Sequence, residues 1–138
     1  MSTETRDRFI RHIFTIVAPY VDILSRGFSL GMDKYWRKRA VFISGIKPGQ
    51  RILDICSGTG ELAVQLLPAV GPQGAVIATD FCENMLALAR QKLRGHHNIV
   101  FHVADAKALP FPDNSFDAVT VAFGMRNIPD TILALREI

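Results

Sequence analysis

The stretch from Arg51 to Ala63, RILDICSGTGELA, constrains this chain more than any other. Arg51 to Cys56 is apolar and β-branched and follows the turn residues Pro48 and Gly49, a pattern that predicts a short buried strand. Ser57-Gly58-Thr59-Gly60 is a glycine loop, and helical composition begins at Glu61. Strand, glycine loop and helix together open a nucleotide-binding α/β unit. Glycines allow a sharp turn and let a ligand approach bare N–H groups. Gly58, Gly60 and Ala63 match the dinucleotide fingerprint, which is a weak signal on its own. Asp54, four positions before Gly58, is more informative. A carboxylate at the carboxyl end of the first strand repels a pyrophosphate and suits a ligand with an ammonium or sulfonium head. The competing role for Asp54 is a turn cap.

The rest of the chain alternates in the same way. Ala75 to Asp80 predicts a second buried strand, and Asp80 lies 20 residues after Gly60, where an acidic residue accepts ribose hydroxyls. Glu83 to Arg94 predicts a helix with Met85, Leu86, Ala89 and Leu93 on one face and Gly95 as its stop. Ile99 to Ala104 predicts a third strand ending at Asp105-Ala106; Asp105 is either an acceptor for an adenine amino group or a turn residue. Leu109 to Ser115 is a rigid turn, Phe116 to Phe123 a fourth strand, and Asp130 the cap of a helix from Thr131 to Ile138. The first crossover helix is expected over Glu61 to Leu67, with Pro68, Gly71, Pro72 and Gly74 forming a loop. This order predicts an α/β fold with a mainly parallel, Rossmann-like sheet and its ligand at the carboxyl ends of the strands.

Upstream, Ser2 to Arg8 is polar and expected to be loose. Phe9, Ile13, Val17, Tyr20 and Leu24 recur every three or four residues, which predicts an amphipathic helix broken at Pro19. Ser29-Leu30-Gly31 is a break, and Asp33 is expected to cap a second helix running to about Ser44. Residues 1–45 therefore read as an N-terminal helical flap and 46–138 as a cofactor-binding α/β domain. As a flap, Phe9, Phe14, Tyr20, Phe28 and Trp36 would form an apolar cover over the cleft; plain packing is the alternative, and composition alone favours it.

At 138 residues, 49% apolar and 21% charged, the chain has the composition of one soluble domain. The net charge of +3 is too small and scattered to point to nucleic acid. Its one basic cluster, Lys34, Arg37, Lys38 and Arg39, reads as a solvated helix face. Cys56 and Cys82 make no disulfide scaffold, and no secretory or membrane-spanning segment is visible, so a cytoplasmic protein is expected. The histidines are too dispersed for a metal site.

Four stretches, SLGMDKYWRKR from Ser29, LDICSGTGELA from Leu53, TDFCENML from Thr79 and ADAKALPFPDNSFDAVTVAFGMRNIPD from Ala104, carry a resemblance to class I S-adenosylmethionine-dependent methyltransferases. More narrowly, they resemble the ubiquinone/menaquinone biosynthesis C-methyltransferases. The resemblance implies S-adenosylmethionine as cofactor and methyl transfer to a ring carbon of a prenylated quinol. It places Asp54, Gly58 and Gly60 at the methionine part, Asp80 at the ribose and Asp105-Ala106 at the adenine, with Ser57, Thr59 and Phe81 also among the cofactor-binding residues. Arg126 either ties the fourth strand to the next helix or faces the acceptor and stabilises a developing phenolate. No metal is implied. Peripheral membrane contact is compatible with a prenylated acceptor.

Three features depart from the family pattern. Val21-Asp22 and Ser25 stand where the family has Tyr-Asp and Asn, and Cys82 stands where it has Ser, a better helix cap. The chain also stops at Ile138, inside the helix that precedes the family's remaining strands. The expectation is a C-terminally truncated chain with strand order 3-2-1-4 and a raw fourth-strand edge that promotes self-association. Other readings are a class I methyltransferase with another small-molecule acceptor, an inactive cofactor-binding fragment, and a nicotinamide-dependent oxidoreductase, which the charge of Asp54 disfavours.

Overall fold

A computed structural model describes residues 3–138, with side chains from residue 5. Its centre is β1 (Arg51–Ile55), buried on both faces. β2 (Ala75–Asp80) pairs with it on one side and β4 (Ala118–Val121) on the other, and β3 (Ile99–Val103) pairs with β2. All these strand pairings are parallel, as expected from the alternation, and the order is β3-β2-β1-β4, as the family resemblance implies. α4 (Ala63–Val70) and α5 (Glu83–Lys92) pack through Leu66, Val70 and Leu93 against Ile52 and Val76. The other sheet face packs Leu53, Ile55 and Ile77 against Phe111, Phe116 and Met125.

The strands are shorter at their ends than the apolar runs that encode them. β1 stops at Ile55 because Cys56 takes a left-handed φ of 52° to enter the glycine loop. β4 covers only Ala118–Val121, and Phe123 also turns left-handed, with φ 62°. Gly60 has φ 82°, and a Cβ there would lie 3.0 Å from Leu93 Cδ1 and 3.3 Å from Ala89 Cβ. Its missing side chain therefore serves helix packing. Pro68, expected in a loop, lies inside α4.

The N-terminal segment forms α1 (Thr3–Val17), a 3-10 turn (Ala18–Tyr20), α2 (Val21–Ser29) and α3 (Met32–Ile43). Thr3 to Arg8 is helical and not loose; Ser2 lies outside the described residues. The break at Leu30 and Gly31 is present, with φ of 52° and 79°. Asp33 does not cap α3: its carboxylate is buried and paired with Arg37, so Arg37 does not belong to the solvated face. α6 (Thr131–Glu137) is capped as expected, Leu133 N–H donating to Asp130 Oδ1 at 2.9 Å.

Of the glycine-loop substitutions, Gly60→Ala combines a left-handed φ with a tight contact, and is expected to lower unfolding free energy by about 2–4 kcal/mol. Gly58 has φ 56°, and its nearest neighbour, Met85 Cε, lies 3.8 Å from an added Cβ. Gly58→Ala is expected to cost about 1–2 kcal/mol, from the backbone alone. Urea unfolding of the two variants checks the order.

Candidate functional site

A cavity of about 280 Å³ opens at the carboxyl ends of β1, β2 and β4, beneath α1 and α2. Asp54, Ser57, Gly58, Thr59, Asp80, Phe81, Asp105, Ala106 and Arg126 all line it. Gly60 closes the same loop beside the wall, and its bare α-carbon packs toward α5 for the steric reason given above.

Asp54 is fully buried. Its Oδ1 accepts the Thr120 hydroxyl at 2.8 Å, which ties β1 to β4. Its Oδ2 has no hydrogen-bond partner, and neither has the buried Ser57 Oγ. Unpaired buried polar atoms cost about 1–3 kcal/mol each, so two at one ligand-facing place mark a site arranged for an incoming donor. Burial pushes the Asp54 carboxyl up to about 6 and the Asp80 charge adds to the rise, while the nearby Ser57 and Thr120 hydroxyls and the more distant Arg37 charge pull it back.

Asp80 acts as a tie as well as a wall. Its Oδ2 accepts Gly58 N–H at 2.8 Å and its Oδ1 accepts Cys82 N–H at 2.9 Å. Burial raises its pKa, and these backbone donors oppose the rise. Each oxygen keeps a second lone pair for a further donor. Asp105 is exposed; its Oδ1 accepts Lys107 N–H at 2.9 Å, so it forms the turn while lining the cavity. Arg126 sits exposed on the 3-10 turn Met125–Asn127 at the rim.

The N-terminal helices complete the cavity. Lys107 Nζ meets Asp7 of α1 at 2.7 Å, and Phe14 stands edge-on to Phe81 with centroids 6.2 Å apart. The Thr59 hydroxyl donates to Asp22 of α2, which also takes Lys92 Nζ at 2.7 Å. Of the expected apolar cover, Phe14 and Trp36 touch cleft residues, Phe81 and Phe123 respectively. Phe9, Tyr20, Phe28 and Trp36 are all exposed, so of the five only Phe14 is half-buried. Asp7, Asp22, Lys107 and Thr120 were not singled out as site residues, because their partners lie 37 to 100 positions away and no local spacing announces them.

Among the described residues, six carboxylates (Asp7, Asp22, Asp54, Glu61, Asp80, Asp105) line the cavity against four cations. That balance favours a cationic ligand over a pyrophosphate. The groups present, an orphaned carboxylate oxygen above all, fit an ammonium- or sulfonium-bearing molecule.

The raised Asp54 pKa has a stability consequence. In the unfolded chain this carboxyl ionises at the ordinary aspartate value of 3.8 and in the folded one at about 6, so folding is weakened as pH rises between them and stays so above. The difference corresponds to about 3 kcal/mol at neutral pH. Without ligand, the melting-temperature difference between Asp54→Asn and wild type should move in favour of the variant from pH 4 to pH 7. Thermal unfolding at the two pH values measures it, and an unchanged difference would remove the buried charge as a cause.

Comparison with known proteins agrees with this geometry. Demethylmenaquinone methyltransferases of Staphylococcus aureus strains JH9 and Newman are 41% identical to the chain over 128 residues, 93% of its length. The match covers 53% of those proteins, so the chain spans about half the length of the curated relatives it matches. A crystal structure of a SAM-dependent methyltransferase from Aquifex aeolicus superposes with TM-score 0.71 at 27% identity, covering 77% of this chain and 57% of that one. A Methanococcus maripaludis structure, covering 89% of this chain and 56% of its own, shares the fold with TM-score 0.76 at 21% identity. The model of the ubiE/COQ5 methyltransferase family matches residues 2–138. With its strand order, its glycine loop and its orphaned Asp54 oxygen, this chain belongs to the ubiE/COQ5 methyltransferase family.

Proposed function

We propose that this chain binds S-adenosylmethionine and serves C-methylation of a prenylated quinol of the menaquinone or ubiquinone type. The observation that carries the reading is the pair of buried, unpartnered oxygens, Asp54 Oδ2 and Ser57 Oγ, on the cavity wall beside the glycine loop. Family membership and the 41% identity to demethylmenaquinone methyltransferases support the substrate class. When bound, the cofactor supplies an electrophilic methyl group on a sulfonium.

In this reading Asp54, Ser57, Gly58, Thr59 and Gly60 hold the methionine end. Asp80 accepts ribose hydroxyls beside Phe81, and Asp105 and Ala106 face the adenine. Arg126 stands at the rim toward the acceptor. The flap of residues 1–45 closes over the domain of residues 46–138 and excludes water, which strengthens each of these contacts. The protein's contribution is to place the acceptor in line with the methyl group.

The flap also supports a peripheral membrane role. Residues 1–45 carry eight Lys and Arg against four Asp and Glu, while residues 46–138 carry eight against nine. Ile23, Phe28, Leu30, Phe42 and Ile43 are exposed on or beside α2 and α3. No single helix among the described residues is long and apolar enough to cross a membrane. A basic, apolar surface of this kind suits an anionic lipid interface. The free side of β4 is a second association surface, open to pairing with another copy of the chain.

Calorimetric titration with S-adenosylhomocysteine and NADH tests the cofactor assignment: saturable binding of the first alone is expected, and binding of NADH instead would overturn it. Asp54→Ala is expected to weaken the first by about 2–3 kcal/mol, because the ligand ammonium loses its carboxylate. Sedimentation with vesicles checks the lipid surface. The chain should pellet with anionic vesicles, more weakly with neutral ones, and lose binding in Lys34→Glu/Lys38→Glu; equal recovery with both vesicle types counts against an electrostatic contact.

A further inference from the structure

Among the described residues, four cationic side chains line the cavity: Arg11, Arg37, Lys107 and Arg126. Two are already engaged at the ribose and adenine end. The Arg11 guanidinium lies over the Phe81 ring, 5.4 Å from its centroid, and Lys107 is held between Asp7 and Asp105. Arg37 and Arg126 remain for the other end.

These two arginines differ in kind. Arg126 is exposed on a short turn. Arg37 is 9% exposed and gripped by Asp33, which is itself fixed by the Ser29 hydroxyl at 2.8 Å. Its guanidinium carbon lies 5.1 Å from the centre of the Phe123 ring, and Trp36 reaches the same ring at 6.4 Å. A helix staple would need only the Asp33 contact, one turn back on α3. Arg37 also reaches across to the loop after β4 and presents itself to the cavity, and its charge is felt at Asp54. A guanidinium has five N–H donors, and Asp33 engages it from one side. The remaining donors are held in a fixed direction beside the Phe123 ring, which is the pre-organisation that oxyanion binding requires.

We propose that Arg37 is the oxyanion-binding residue of the acceptor subsite: it donates to the ionised hydroxyl of an aromatic acceptor whose ring lies against Phe123. This rests on the methyl-transfer reading above. Asp33 is a positioning residue, since it fixes the guanidinium and faces no acceptor. Arg126 contributes from the rim.

The test uses the whole chain, with and without saturating S-adenosylhomocysteine, and 1-naphthol as the probe. Naphtholate absorbance reads the ionisation of the bound probe over an alkaline range in which Asp33, Asp54 and Asp80 are already charged and oppose the effect. Bound naphthol is expected to ionise about one pH unit below free naphthol, a tenfold change in its ionisation constant. Arg37→Met should abolish the shift. Arg37→Gln, which keeps a donor to Asp33, covers the case in which the first variant does not fold, and should also abolish it. Arg126→Met should remove less. A shift that survives both Arg37 variants, a shift lost only in Arg126→Met, or no shift in the wild type overturns the proposal. Loss of S-adenosylhomocysteine binding with an Arg37-dependent shift intact would remove the methyl-transfer reading and leave the anion subsite standing.

Discussion

The site depends on one carboxylate that never needs to touch a reacting atom. Asp80, at the end of β2, accepts one N–H from the glycine loop after β1 and one from the start of α5. Ser57 N–H adds a bond of 2.9 Å to Thr79 O. Two loops that follow neighbouring strands are thereby locked together. A buried charge is costly unless backbone donors and opposite charges compensate it. Here Cys82, Gly58 and Phe81 N–H groups and the Arg11 guanidinium do so. The carboxylate that would bind a ribose thus also shapes the pocket that receives it, so loop geometry is set before a ligand arrives.

Asp54 is the complementary case. It has one hydroxyl partner and one bare oxygen, and its pKa rises to about 6. The fold tolerates this cost because Asp54 lies in a central strand paired on both sides, where the buried Ile52 and Ile55 hold β1 in place. Binding of a cation would return the cost as affinity, since the ligand supplies the missing donor.

The N-terminal helices are fixed by two kinds of contact of unequal weight. Partly exposed ion pairs such as Lys92 with Asp22 contribute about 0–1 kcal/mol each. Burial of a side chain such as Met85 contributes about 1.5–3 kcal/mol, and Ala18, Cys82 and Met85 form one apolar cluster flanked by Phe14 and Val21. The apolar cluster therefore docks the flap, and the polar contacts choose its register. Cys82 illustrates the exchange: its side chain makes no cap to α5, and its thiol instead lies 3.8 Å from Thr15 of α1.

What the sequence determined by itself is the local part of this structure: β1 and β2 as apolar runs, the left-handed glycine turn, the Asp130 cap, the parallel order that follows from strand–helix alternation, and the family motifs. These depend on neighbours in the chain, and such patterns survive folding. The tertiary structure decided what depended on distant partners. Arg37 read as a solvated cation because its charge cluster was visible, while Phe123 and the cavity were not; Asp33 read as a cap because its pairing one turn later competes with that role. Gly60 needs its bare α-carbon because α5 arrives behind it. Thr120 became a partner of Asp54 only when β4 took its place beside β1, 66 positions away in sequence. Contacts of that length are set by sheet register and helix packing, which no local spacing encodes.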